Sequence, residues 1–180
     1  VCAALGYGIM NLLMVATPLA MHAHQHTFAN TAFVLELHIM GLVAPGLFTG
    51  SLISRWGVLP IVMTGAWLML VCVFVALGGV DIMHFSIALF ALGVGWNFMY
   101  TGGTTLLTQA YRPQEKNRIQ GFMDMCVFTT MMTTSASSGA LLFVNGWSIL
   151  NILSLPFVLI AIGSVLWLVW RRGWQFGTLG

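Results

Sequence analysis

The sequence predicts an all-α membrane protein, a polytopic bundle of six transmembrane helices, and three observations carry that expectation. Hydrophobic residues make up 59% of the chain and charged ones 6%, whereas soluble domains carry about 25% charged residues. The apolar residues fall into six runs, each near or above the ~20 residues that cross about 30 Å of hydrocarbon. All six basic residues lie in alternate gaps between those runs: Arg55 after the second, Arg112, Lys116 and Arg118 after the fourth, Arg171 and Arg172 after the sixth. Retention of positive charge on one side is the positive-inside pattern, so the same residues give span count and direction, with both ends of the chain cytoplasmic.

In order along the chain, the spans are expected near 2–21, 29–53, 58–77, 84–107, 118–144 and 148–170. Helices rather than barrel strands follow from run length, because barrel strands alternate in segments of about ten residues. Short linkers make consecutive spans antiparallel neighbours. Residues 1–174 then form one six-helix unit, and 175–180 a cytoplasmic tail. Trp147, Trp170 and Trp174 fall at the expected interfaces, where amphipathic aromatics anchor. Cys2, Cys72 and Cys126 sit inside apolar runs and read as small buried hydrophobes. The net charge of +2 belongs to the cytoplasmic rim of a bilayer protein, with lipid rather than nucleic acid beside it. The chain starts at Val1 without Met and without a recognisable cleavable signal, which suggests a piece of a longer protein.

Polarity is uneven among the spans. The third has Thr64 as almost its only polar side chain, and the sixth holds Ser148, Asn151, Ser154 and Ser164 with nothing ionisable. The other four carry Asn11, Glu36, His38, Asn97, Gln120, Asp124 and a Thr/Ser-rich stretch from Thr129 to Ser138. Strongly polar groups in a bilayer avoid lipid, so the third and sixth spans are expected at the periphery and the other four at the centre. A peripheral span then stands third in each set of three. Gly6-Tyr-Gly8-Ile-Met-Asn11 in the first span and Gly93-Val-Gly95-Trp-Asn97 in the fourth both set a glycine pair ahead of a mid-membrane Asn. Such an echo is expected of 3+3 inverted repeats, a transporter signature.

The most specific local string is Gly50-Ser-Leu52-Ile-Ser54-Arg55-Trp-Gly57, in the short gap between the second and third spans. Its glycines allow a tight turn, and its Arg can cap a helix end or pair with a carboxylate. A second string is Tyr111-Arg-Pro113-Gln-Glu115-Lys-Asn-Arg118-Ile-Gln120-Gly121, between the fourth and fifth spans. On these residues the whole chain resembles the C-terminal six-helix half of a major facilitator superfamily (MFS) transporter. That family repeats G-x-L-x-D-R-x-G-R-[RK] in this loop of each half, and Gly50, Leu52, Arg55 and Gly57 match it. Ser54 replaces the family's Asp, and Val58–Leu59 its trailing basic pair. The second string is similar to the P-x-E-x-x-[RK]-x-x-[GA] loop before the family's eleventh helix. The resemblance implies a midplane substrate site lined by the first and fourth helices of the half. It also implies a partner N-terminal six-helix half absent from this chain, and a place in the plasma membrane, the inner membrane of a bacterium.

Asn11 and Asn97 each lie about halfway along their spans, with Tyr7, Trp96 and Tyr100 within one turn, able to stack on a planar solute. A mid-span Asn also fits an interhelical hydrogen bond; the position the resemblance implies favours substrate contact. Glu36 and His38 are candidates for proton coupling, because an intramembrane carboxylate is costly and marks function by default. Two residues apart on a helix, they point nearly opposite ways. His38 shares its side with Gly41, Pro45 and Thr49, a small-residue face suited to packing, and Glu36 with Met40, Val43 and Leu47. Asp124, one turn after Gln120, is expected to pair with Arg55 or Arg118, so that Gly50, Arg55, Gly57, Arg118 and Asp124 form a cytoplasmic gate. Gly46-x-x-x-Gly50 reads as close helix packing.

His22, His24 and His26, after the first span, are the one cluster with metal-ligand chemistry. No Cys or carboxylate lies near them in sequence, and the site is expected to hold no metal or other cofactor. The function expected is secondary active transport of a small organic solute by alternating access, proton-coupled and without covalent chemistry, so not an enzyme. The alternatives from other classes are a membrane-embedded metal-binding enzyme using the three histidines and a non-transporting membrane scaffold.

Overall fold

A computed structural model describes residues 2–172, and no strand occurs among them. The helices are α1 (Cys2–Ala23), α2 (Phe28–Val43), α3 (Gly46–Trp56), α4 (Val58–Gly78), α5 (Ile82–Thr108) and α6 (Lys116–Arg172), with a 3-10 turn at Pro113–Glu115 before α6. By length and composition, five helices can cross a membrane, with α2 and α3 counted as one pass of 29 residues. The expected tail at 175–180 and Trp174 lie outside the described residues.

The 57 residues of α6 would reach ~85 Å as one straight helix, far beyond a bilayer. Gly146 ends that run. It leaves helical geometry at φ 77° and ψ 173°, and two helices meet there. That backbone conformation is open to glycine because it lacks a Cβ. Ile119, Phe122 and Met123 near the start of α6 share a cleft with Ser164, Trp167 and Leu168 near its end, so the chain doubles back at Gly146. The reversal falls in the gap expected between residues 144 and 148. The turn between α3 and α4 is made by Gly57 in the same way, at φ 88°.

The second pass is not one straight helix. Pro45 has no N–H to give the Gly41 carbonyl; i→i−3 bonds follow, from Leu47 N to Ala44 O (3.3 Å) and Phe48 N to Pro45 O (2.9 Å), before Thr49 N donates to Pro45 O (2.8 Å) in the α-helical pattern. The result is a proline kink between α2 and α3.

The core lies where α1, α4, α5 and α6 meet, and α5 runs through its middle. α4 and α5 approach closely because Gly65 and Gly95 face each other. A Cβ on Gly65 would stand 2.7 Å from the Gly95 carbonyl oxygen. The third span is therefore not peripheral within this chain. Over their most apolar windows, α4 and α5 are each 56% buried and α1 61%, whereas the α2–α3 pass is 17% buried. Apolarity alone reads the same for a lipid-facing helix and for a packed one, and small residues such as Gly65, Ala66 and Ala76 place α4 in the second class. Trp147 is likewise not an interfacial anchor: it is buried, packs on Phe85 and donates its indole N–H to Ala76 O at 3.0 Å. Trp170, by contrast, is exposed.

Candidate functional site

The two mid-span asparagines are both buried, and both clasp another helix. Asn11 on α1 donates its amide to Met131 O and to Thr134 Oγ1 on the first limb of α6, both at 3.0 Å. One turn further on, Ser138 Oγ donates to Leu12 O at 2.8 Å. Asn97 on α5 donates to Leu42 O at 2.8 Å, and its Oδ1 accepts from Thr49 Oγ1 at 2.7 Å. Its amide therefore bridges α2 and α3 across the kink. Most other hydroxyls of the stretch 129–138 bond back to carbonyls of their own helix, as Thr130 does to Cys126 O and Thr133 to Thr129 O.

Glycines ahead of each Asn let the partner helix in. Gly8 lies against Thr130, and Gly93 against the backbone of His38 and Gly41. Gly46, across from α5, comes near the Asn97 amide, but Gly50 has open space around it. Only the first glycine of that expected packing pair makes a close contact.

Tyr7, Trp96 and Tyr100 come together between α1 and α5. The Trp96 and Tyr100 rings stack, with centroids 5.0 Å apart and planes 8° from parallel. Tyr7 meets both edge-on, at 5.3 Å from Trp96 and 5.9 Å from Tyr100. All three rings are half-buried. The Trp96 indole N–H is enclosed and has no acceptor among the described residues. Ala3 and Gly103, one helical turn beyond Tyr7 and Tyr100 along their helices, line an apolar cleft of about 430 Å³ with Leu106, Phe122 and Trp167. Stacked rings beside an unpaired donor offer apolar area and one directional bond to a flat solute.

Glu36 and His38 separate as their spacing requires. His38 is 1% exposed, and its Nδ1–H donates to Leu89 O at 2.8 Å, while Nε2 has no hydrogen-bond partner among the described residues. Gly41 and Thr49 are buried on the same side, against α5. Glu36 is exposed, with Met40, Val43 and Leu47 exposed around it. A carboxylate in a membrane pass faces water or protein rather than lipid, so this face is one that lipid alone does not cover.

The basic residues gather at one end, where Ala3, Gly103, Ile119 and Trp167 meet and Val58 lies beside Gly102. Arg55, Arg118 and Asp124 are all exposed there. Among the described residues they make no ion pair, so the expected latch is not formed in this arrangement. Ser54, at the position of the absent Asp, bonds back to Ser51 O at 2.9 Å. Glu115 caps its own turn by accepting from Arg112 N. Arg171 instead lies over the Trp167 ring, 4.8 Å from its centroid.

At the opposite end, His26 Nε2–H donates to Val80 O at 2.7 Å, and its ring meets Phe85 edge-on. His22 and His24 are exposed. No three His, Cys, Asp or Glu side chains among the described residues come together as a metal site. His26 acts as a clasp between the α1–α2 and α4–α5 loops.

Sequence reasoning took Thr49 only as part of a packing face and Thr134 only as one of a Thr/Ser-rich stretch, and it passed over the carbonyls of Leu42 and Met131. Pro45, inside an expected span, was the visible signal that the backbone ladder breaks near these carbonyls.

Comparison with known proteins shows the family. The family model described as Major Facilitator Superfamily matches residues 1–173. A riboflavin transporter, RfnT, of Brucella anthropi is 38% identical over 152 residues, covering 84% of this chain and 38% of that protein. Two uncharacterised MFS-type transporters of Bacillus subtilis are also similar: YddS, 30% identical over 161 residues (88% of this chain, 37% of that protein), and YdeG, 29% over 167 residues (92% and 38%). The chain thus spans under two fifths of the length of the curated relatives it matches.

Proposed function

The chain belongs to the Major Facilitator Superfamily, and from that premise we propose that it is the C-terminal six-helix half of a secondary transporter for a planar organic solute. The observation that carries this reading is the aromatic cluster of Tyr7, Trp96 and Tyr100 between the first and fourth passes. A flat heterocycle with a ring carbonyl suits it, because the rings supply stacking area and the Trp96 N–H supplies a donor. Riboflavin, the solute named for one relative, has that chemistry and is the first to test.

Alternating access in this reading is the rocking of two half-bundles around a midplane site. The reversal at Gly146 makes α6 two passes and the total six. The two asparagine clasps support an arrangement of 3+3 repeats. Asn11 in the first pass of one triplet reaches the second pass of the other, and Asn97 returns the favour. The basic end faces the cytoplasm. Arg55, Arg118 and Asp124 form the inner gate, and their separation here corresponds to an unlatched state. Glu36 is the proton-coupling group, since it is exposed where the other half or water must cover it; His38 supports it by fixing α2 on α5. Asn97 is committed to the kink, and Asn11 to α6, so both shape the site rather than hold the solute. The surrounding membrane is the plasma membrane of a bacterium.

The test is radiolabelled riboflavin flux by the full-length protein in proteoliposomes, with Trp96→Ala and Tyr100→Ala beside the parent. Each variant is expected to lose about tenfold or more in apparent affinity, since base–aromatic stacking is worth ~1–3 kcal/mol. Parental flux and affinity in both variants would rule out the aromatic site.

A further inference from the structure

The inference concerns α3, whose eleven residues Gly46–Trp56 bury only Thr49 and Ile53. It follows a kink in which Pro45 removes one backbone donor and the Leu42 carbonyl turns to a side chain on another helix. That side chain, Asn97, also holds Thr49, one of the two buried residues of α3. A single carboxamide therefore spans the hinge and bonds both sides of it. Within this chain, α3 is held to α5 through Thr49 and the Asn97 amide, with Ile53 its only other buried residue. At its far end α3 carries Arg55 and Gly57, and Gly50 has open space around it. On the same turn of α5, Trp96 faces the aromatic cluster while Asn97 faces the hinge.

We infer that Asn97 is a positioning residue: it pins a proline hinge in the second pass, and release of that pin lets α3 swing the Arg55 end of the gate independently of α2. This rests on the transport reading for its consequence, flux, but not for its geometry. The solute-binding turn and the hinge pin are adjacent residues of one buried helix, so a shift of α5 on binding reaches α3 without passing through the second helix.

The experiment uses the full-length protein in lipid nanodiscs and reads hydrogen–deuterium exchange of the segments 28–43 and 46–56, with riboflavin binding and flux measured in parallel. Asn97→Leu keeps the branched shape, with a somewhat larger side chain, and removes both bonds. Exchange over 46–56 is expected to rise about tenfold while 28–43 stays near the parent. Turnover should change while riboflavin affinity holds within about twofold, a split that interactions outside the binding site produce. Thr49→Val removes the hydroxyl that Asn97 Oδ1 and Pro45 O share but leaves the Asn97–Leu42 bond, and it should raise exchange about threefold, which keeps the test available if the first variant folds poorly. Pro45→Ala lets a continuous helix form through the kink, with the residue 45 N–H on Gly41 O and the Gly46 N–H free to reach Leu42 O, so Asn97→Leu/Pro45→Ala should bring 46–56 back toward the parent; a plain packing role for Asn97 would not be rescued this way. Unchanged exchange over 46–56 in Asn97→Leu would overturn the hinge, as would equal loosening of 28–43 or failure of Pro45→Ala to rescue. A parent that neither binds nor moves riboflavin would sink the substrate reading alone, and the exchange arms would still decide the hinge.

Discussion

Asn11 and Asn97 perform the same task on two sides of the bundle, yet their partners differ in one respect that matters. Each reaches a backbone carbonyl and a threonine hydroxyl on a neighbouring pass. Met131, which receives Asn11, sits inside an unbroken stretch of α6, where Thr134 also bonds back to Thr130 O. Leu42, which receives Asn97, sits just before a proline kink that disturbs the backbone ladder. Asn11 therefore adds a bond to a helix that is already satisfied, whereas Asn97 replaces one that the helix has lost. An unmet buried carbonyl costs more than a surplus bond contributes.

The sharpest way to break this comparison is at the glycines ahead of each Asn. Gly93→Ala would put a Cβ 2.6 Å from the His38 carbonyl oxygen and 2.9 Å from the Gly41 backbone. Neither neighbour can yield without moving a helix. Thermal or chemical unfolding in detergent should show a loss of ~1–3 kcal/mol, the range for overpacking. Gly8→Ala meets side-chain methyls alone, that of Thr130 at 2.6 Å and that of Thr134 at 3.6 Å; Thr130 can change rotamer, and the expected loss is clearly smaller. Equal losses would mean that the two crossings are equally tight.

Next in size are the asparagines themselves. Asn97→Ala should cost ~1–3 kcal/mol, because it leaves the partly buried Leu42 carbonyl without that donor. Asn11→Ala should cost about 0.5–1.5 kcal/mol, the range for a single interhelical bond. A larger cost at Asn11 would reverse the assignment of the weak side. Thr134→Val should fall below Asn11→Ala, since it removes one of the two acceptors and leaves Met131 O in place.

The smallest structural effect is expected at Glu36. Glu36→Gln touches an exposed side chain and should leave the melting temperature near the parent's. If Glu36 couples protons, the same variant abolishes the stimulation of flux by a pH gradient while downhill exchange of solute continues. Retained stimulation would move the coupling group elsewhere.

Much of the helix layout was legible because it depends on local properties. Expected edges at 2–21, 58–77 and 84–107 stand beside helices Cys2–Ala23, Val58–Gly78 and Ile82–Thr108. Run length and glycine at the turns need no knowledge of neighbours, and the reversal at Gly146 fell in the expected gap. The opposition of Glu36 and His38 also followed from helix geometry, with His38 packed and Glu36 exposed. Their surroundings were less legible. An apolar α4 fits lipid or core equally well, and a mid-span Asn fits a solute or a neighbouring carbonyl equally well. The three histidines shared a short segment, but the ring of His26 turned to Val80, more than fifty residues away.

By itself, then, the sequence determined that this protein is a helical membrane bundle, roughly where several of its helices lie, and that its basic residues belong to one end. These follow from composition and periodicity, which each segment carries within it. The tertiary structure decided which polar groups are spent on the fold and which remain for function. It used Asn11 and Asn97 as clasps, gathered Tyr7, Trp96 and Tyr100 into one cluster, and left Glu36, Arg55, Arg118 and Asp124 exposed. A buried polar group takes whichever partner the packing brings within about 3 Å, and that partner lies 48 or 120 residues away, where no local pattern reaches.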